Sequence, residues 1–126
     1  MIARTIASLS LAGLVVLGAI AAKPAANPVS GLALYKMQCA MCHAVVAGKN
    51  GVGPSLAKFY GRKPALAPGF AYSPAMKAFK GKWDAATLDR FLSDPRVAVP
   101  GTKMTYLGQK DPTKRADLIA YLATLR

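Results

Sequence analysis

The two cysteines and the one histidine of this 126-residue chain stand together, as Cys39-Ala40-Met41-Cys42-His43. A thiol pair followed by an imidazole can do several kinds of chemistry. A redox disulfide of the thioredoxin kind wants a strand before it and a βαβ setting, and the residues upstream of Cys39 read as helix. A zinc site needs a fourth ligand, and no further Cys or His exists in the chain. A histidine that merely fills a core would leave the full C-x-x-C-H spacing unexplained. That spacing is the one used for covalent haem attachment. Two thiols one helical turn apart can each add to one of the two vinyl groups on the same porphyrin edge. The adjoining imidazole then lies under the iron as an axial ligand.

An iron held on one side by His43 has a second axial position, open to water, a lysine or a methionine. Of the five methionines, Met1 leaves with any cleaved leader, Met41 is confined between the cysteines, and Met37 lies on the approaching helix on the wrong side to reach round the ring. Met76 and Met104 remain. Met104 ends Val99-Pro100-Gly101-Thr102-Lys103-Met104, where Pro and Gly define a non-helical loop that can wrap to the far face. Met76 follows Ser73-Pro74 and is less clearly placed. Spacing favours Met104, with Met76 still open and a core-filling role for Met104 as the bland alternative.

These groups must be held by local elements. Leu32, Tyr35 and Met37, near Gly31, suggest a first helix running into Cys39, although its apolar positions form no clean stripe. Residues 48–53 read as loop. Residues 58–81 hold Pro64, Pro68, Gly69 and Pro74 and read as irregular. Asp84 has the features of an N-cap, with Trp83 and Leu88 as a hydrophobic staple, and Leu88, Phe91 and Leu92 give one apolar face before Pro95. Asp111-Pro112 is a second start signal. Leu118, Tyr121, Leu122 and Leu125 follow it at i, i+3, i+4 and i+7, the period of a helix. No alternating strand pattern or internal repeat is present. The expected fold class is all-α: helices and loops wrapped around one haem, whose apolar faces supplement a small core.

At the N-terminus, Arg4 is followed by an uncharged stretch in which residues 11–22 are all apolar or glycine. A run of roughly 10–14 such residues is typical of a signal-peptide core, whereas a spanning helix wants about 20. Ala19-Ile20-Ala21 supplies the small-x-small cleavage pattern. Residues 1–21 are read as a cleaved export signal, 22–29 as a linker and 30–126 as the haem domain. The alternative is an uncleaved membrane anchor. The chain carries 17 Lys+Arg against 5 Asp+Glu, a net charge of +12, which falls to +11 without Arg4 and to about +9 with two ionised haem propionates. This length holds one ordinary domain and rules out a two-domain enzyme. The basic excess points to an anionic partner without choosing among nucleic acid, lipid headgroups and acidic protein faces.

Taken in order, CAMCH at 39–43, GP at 53–54, GRK at 61–63, PGFAYSPAMK at 68–77, Trp83, VPGTKM at 99–104 and ADLIAYL at 116–122 resemble the class I c-type cytochromes, specifically mitochondrial-like cytochrome c and its soluble bacterial relatives. The resemblance runs from Gly31 to Arg126. It implies one haem c on Cys39 and Cys42, with His43 and Met104 as axial ligands. It also implies that the Pro54 carbonyl accepts from the His43 ring. Arg62, Tyr72, Trp83 and Thr102 would serve the haem propionates, and Gly31 and Tyr35 would meet Leu118 and Tyr121 where the first and last helices cross. Two positions depart from the family. Phe91 replaces a tyrosine whose hydroxyl approaches the methionine sulfur, and Met76 replaces an asparagine of a buried polar network. The family's lysine ring round the haem edge is kept by Arg96, Lys103 and Lys110 as docking residues, but not by Ala33, Gln38 and Val97.

The implied function is one-electron transfer by a soluble periplasmic monomer that is not an enzyme, because both axial positions are filled by protein. Its partners would be acidic faces of redox proteins: a quinol–cytochrome c reductase, a terminal oxidase, a photosynthetic reaction centre or a periplasmic dehydrogenase. Contact with a membrane surface would be transient. A peroxidase or gas-binding haem protein would need Met104 off the iron. A nucleic-acid- or lipid-binding module would leave CAMCH without a purpose.

Overall fold

The structure is a computed structural model that describes residue 13 and residues 15–126. Most of the segment read as an export signal (1–12 and 14) lies outside the described residues. Five helices follow in order: α1 Pro28–Gln38, α2 Pro74–Ala78, α3 Ala85–Ser93, α4 Pro95–Ala98 and α5 Pro112–Leu122. No strand occurs among the described residues, as the all-α expectation requires.

Each helix begins on a side chain that accepts from otherwise unpaired amides of the first turn. Asn27 accepts from Val29 and Ser30, Ser73 from Met76, Asp84 from Thr87, Asp94 from Val97, and Asp111 from Thr113 and Lys114. In four of the five a proline sits at the start, where its missing N–H costs nothing. Two sequence expectations change on this account. α1 opens at Pro28, so residues 28 and 29 are helical and do not belong to the 22–29 linker. The 58–81 stretch is irregular except for α2, because Ser73-Pro74 starts a helix. Likewise Pro95 ends α3 and also opens α4.

α1 and α5 cross. A Cβ on Gly31 would fall 2.7 Å from the Asp117 carbonyl carbon and 2.8 Å from Tyr121 Cβ, so only glycine allows this approach. The Tyr35 and Tyr121 rings lie 5.2 Å apart, and the Asn27 amide donates to the Asp117 carboxylate at 2.7 Å. Leu118, fully buried, sits in a core shared with Leu88, Phe91 and Leu92 of α3 and with Leu122. This arrangement leaves one side of the core open as a large cavity, which α1 enters through its C-terminal end at Cys39.

Candidate functional site

The cavity is lined by residues from both ends of the chain. Cys39, Cys42, His43 and Pro54 are on one part of its wall, and Thr102, Met104 and Tyr106 are on another. Burial pushes the Cys39 thiol up to about 11, with the charge of Cys42 adding to the effect. The His43 ring is fixed. Its Nδ1 stands 2.8 Å from the Pro54 carbonyl, which can only accept, so Nδ1 carries the proton and Nε2 keeps its lone pair. Burial lowers the His43 pKa against the opposing pull of that bond, and a neutral imidazole is the form that binds metal. Gly53 is pressed against the same ring, since a Cβ there would lie 2.6 Å from Nδ1.

Pro54 is itself held by a polar loop that sequence reasoning missed. The Asn50 side chain accepts from the Ser55 amide at 3.0 Å and donates to the Pro68 carbonyl at 2.9 Å. The buried Ser55 hydroxyl donates to the Val46 carbonyl at 2.6 Å. A serine beside a GP pair was the available signal. Also missed was a second role of Tyr35: its hydroxyl donates to the His43 carbonyl at 2.6 Å, so α1 anchors the His43 backbone as well as delivering the cysteines.

All six residues expected in the haem pocket, Pro54, Arg62, Tyr72, Trp83, Phe91 and Thr102, line the cavity. Arg62 donates to the Ala57 carbonyl at 3.3 Å, while its Nε is buried with no partner. A buried unpaired guanidinium N–H is costly, so this atom points to an anionic group. The lining includes Arg62, Lys63 and Lys103 and no acid, which fits the carboxylates of a haem. The Tyr72 hydroxyl accepts from the Ala67 amide at 3.0 Å and keeps its own proton to donate. Trp83 packs between Phe79 and Phe91, with centroids at 5.6 and 5.0 Å. The Thr102 hydroxyl accepts from the Met104 amide at 3.2 Å and so braces the loop that bears the sulfur. Met76 reaches the cavity too. Met37 is 80% exposed and outside it, as expected of the wrong helix side.

The sequence model of the cytochrome c family matches residues 29–126. The chain belongs to the cytochrome c family. The cytochrome is 44% identical over 117 residues to cytochrome c2 of Rhodomicrobium vannielii, covering 92% of this chain and 93% of that one. It is 43% identical over 100 residues to cytochrome c of Ulva intestinalis, covering 79% and 90%. Among solved structures it resembles cytochrome cH from Methylobacterium extorquens, with TM-score 0.71 and 42% identity over 78% of this chain and 98% of that one. The cytochrome is therefore a small class I, haem-bearing electron carrier with one haem c attached through Cys39 and Cys42. Such a carrier works with redox partner proteins.

Of the residues expected to dock a partner, Arg96 is exposed on α4. Lys103 is exposed at the cavity and donates to the Ala71 carbonyl at 3.0 Å. Lys110 is half committed elsewhere, since its Nζ lies 2.6 Å from the Ser93 carbonyl and 3.2 Å from Asp94 Oδ2.

Proposed function

We propose that the cytochrome shuttles single electrons with its haem iron ligated by His43 Nε2 and Met104 Sδ. The observation that carries this reading is the His43–Pro54 bond, which leaves Nε2 as the free coordinating nitrogen, together with Met104 on the lining of the same cavity. When bound, the haem supplies the ferrous–ferric couple. The protein's part is to hold one ligand set in both states, exclude water and tune the potential through a low-dielectric wall. Arg62 Nε, the Tyr72 hydroxyl, Trp83 and Thr102 are assigned to the propionates, and Phe91 to the apolar wall. Were His43 and Met104 both to hold the iron, no position would be left on it for a substrate, which would separate the carrier from a peroxidase.

The same reading places the protein in a periplasm, exported by residues 1–21, with the haem domain at 30–126 and its first helix reaching back to Pro28. Among the described residues no helix is long and apolar enough to cross a membrane. The proposed partners are acidic faces of a quinol–cytochrome c reductase and a terminal oxidase, or of a reaction centre or dehydrogenase, met through Arg96, Lys103 and Lys110. Redox encounters of this type are small, below roughly 1,200 Å², and electrostatically steered. The test is the weak far-red absorption of a ferric iron–methionine bond, measured in the holoprotein and in Met104→Ala and Met76→Ala. Loss of the band only in Met104→Ala supports the assignment. Loss only in Met76→Ala moves the ligand to Met76, and no band in the parent protein removes methionine ligation.

A further inference from the structure

The loop that carries Met104 is tied down at several points. Lys103 holds it to the Ala71 carbonyl at 3.0 Å, the Gln109 amide donates to the Leu92 carbonyl at 2.8 Å, and Lys110 grips the end of α3. All these anchors end on residues 71–93. The half that bears Cys39, Cys42 and His43 is reached differently. Among the described residues, the hydrogen bonds joining residues 99–110 to residues 28–58 both end on one atom, Oε1 of Gln38. The Tyr106 hydroxyl donates to it at 2.6 Å, and the Gln109 side-chain amide approaches it at 3.5 Å. Gln38 is the last residue of α1, immediately before Cys39, and Tyr106 is two residues beyond Met104. Both side chains are half-buried and both line the cavity, so the bond spans its rim.

We propose that Tyr106 and Gln38 form a clasp that holds the Met104 loop closed over the haem cavity, and that this bond sets how readily an outside ligand displaces Met104. Tyr106 and Gln38 are positioning residues in this account: neither is a ligand, and both act through the loop. The proposal rests on the assignment of Met104 to the iron. Opening the loop moves Tyr106 away from α1, because the two are joined at no other polar contact. Residues 104–108 lie between the anchors at Lys103 and Lys110. A phenylalanine at 106 would preserve the ring and its packing and remove only the donor.

The test is the rate at which imidazole binds the ferric holoprotein, followed by absorbance, for the parent and for Tyr106→Phe, Gln38→Leu, Gln38→Glu and the Tyr106→Phe/Gln38→Leu pair. Loss of one neutral hydrogen bond should speed binding roughly twofold to tenfold in Tyr106→Phe and in Gln38→Leu. Gln38→Glu, which keeps an acceptor for the hydroxyl, should stay near the parent rate, and the double variant should be no faster than either single one. Equal rates in the parent and Tyr106→Phe, a Gln38→Glu as fast as Gln38→Leu, or additive single effects would each overturn the clasp. Denaturant midpoints measured alongside separate it from a general role in stability, which would lower the midpoint and leave the rate pattern absent. The far-red band of the parent is read first. Its absence contradicts Met104 ligation, whereas a normal band with unchanged rates overturns the clasp alone.

Discussion

At the scale of single residues, the proposed chemistry depends on fixing two side chains, His43 and Met104. His43 is fixed by what surrounds it: the Pro54 carbonyl on Nδ1, Gly53 against the ring, and Tyr35 on its backbone carbonyl. Gly53→Ala should therefore tilt the ring or push residues 52–54 away. A loss of roughly 1–3 kcal/mol is expected from such overpacking, read as a lowered denaturant midpoint of the holoprotein. A midpoint equal to the parent's would show that the ring has room to move. Met104→Ala should lower the reduction potential, by on the order of 0.1 V or more within the roughly 0.8 V that axial ligands command, and admit external ligands while the haem stays attached. The CAMCH group was readable from spacing alone, because covalent attachment restricts both residue type and distance. The choice between Met104 and Met76 was only partly so: the Pro-Gly loop favours Met104, but both residues reach the cavity. The hydrogen bonds of Tyr35, Gln38, Ser55 and Tyr106 escaped sequence reading for a related reason. Each side chain is bonded across eight or more positions, and no local pattern announces such bonds.

At the scale of elements, local signals served where a cap and an apolar period coincided. Asp84 with Leu88, Phe91 and Leu92, and Asp111-Pro112 with Leu118, Tyr121 and Leu122, mark α3 and α5 within a residue or two. α1 has no clean stripe because Gly31 and Tyr35 face α5 while its far end serves the cavity. α2 and α4 were missed because Pro74 and Pro95 were read as breakers, when a capping Ser73 or Asp94 turns each into a first helical residue. The α1–α5 crossing carries a direct prediction. Gly31→Ala places a methyl against the Asp117 backbone, so α5 must shift. A fall in thermal midpoint with the haem spectrum retained is expected, and an unchanged midpoint would contradict the close approach. The caps predict a pH dependence. The Thr87 amide holds the Asp84 carboxyl below the usual carboxylate range, and the Lys114 amide does the same for Asp111. A carboxylate whose pKa is lower folded than unfolded stabilises above the unfolded value. That contribution is lost as pH falls through the folded one. Stability should thus decline below about pH 4, and Asp84→Asn, which keeps a capping oxygen without the charge, should flatten part of that decline.

At the scale of the whole molecule, the charge is unevenly placed. All five aspartates lie between 84 and 117, whereas the nine Lys and Arg of residues 23–82 face no acid in that half of the chain. Around α3 and α4 the basic groups are partly matched, Lys110 by Asp94 and Arg115 by Asp89 at 2.7 Å. The exposed Lys110–Asp94 pair adds little stability, whereas the Arg115 guanidinium is largely buried; both pairs trim the local field. Steering toward the proposed acidic partner would therefore draw on the whole basic body, with Arg62, Lys63 and Lys103 on the cavity lining itself. Rates with a natural partner should fall by roughly tenfold or more from low to physiological salt, as charges become screened beyond about 8–10 Å. A flat profile would remove the electrostatic docking argument. The central claim is a haem attached through Cys39 and Cys42, closed by His43 and Met104, and cycling by one electron. A redox titration of the purified holoprotein followed by absorbance tests it most directly. The account predicts a single one-electron transition at a raised potential, with a far-red band in the oxidised form that disappears in Met104→Ala. A low potential with no such band, and rapid carbon monoxide binding in the reduced form, would contradict it.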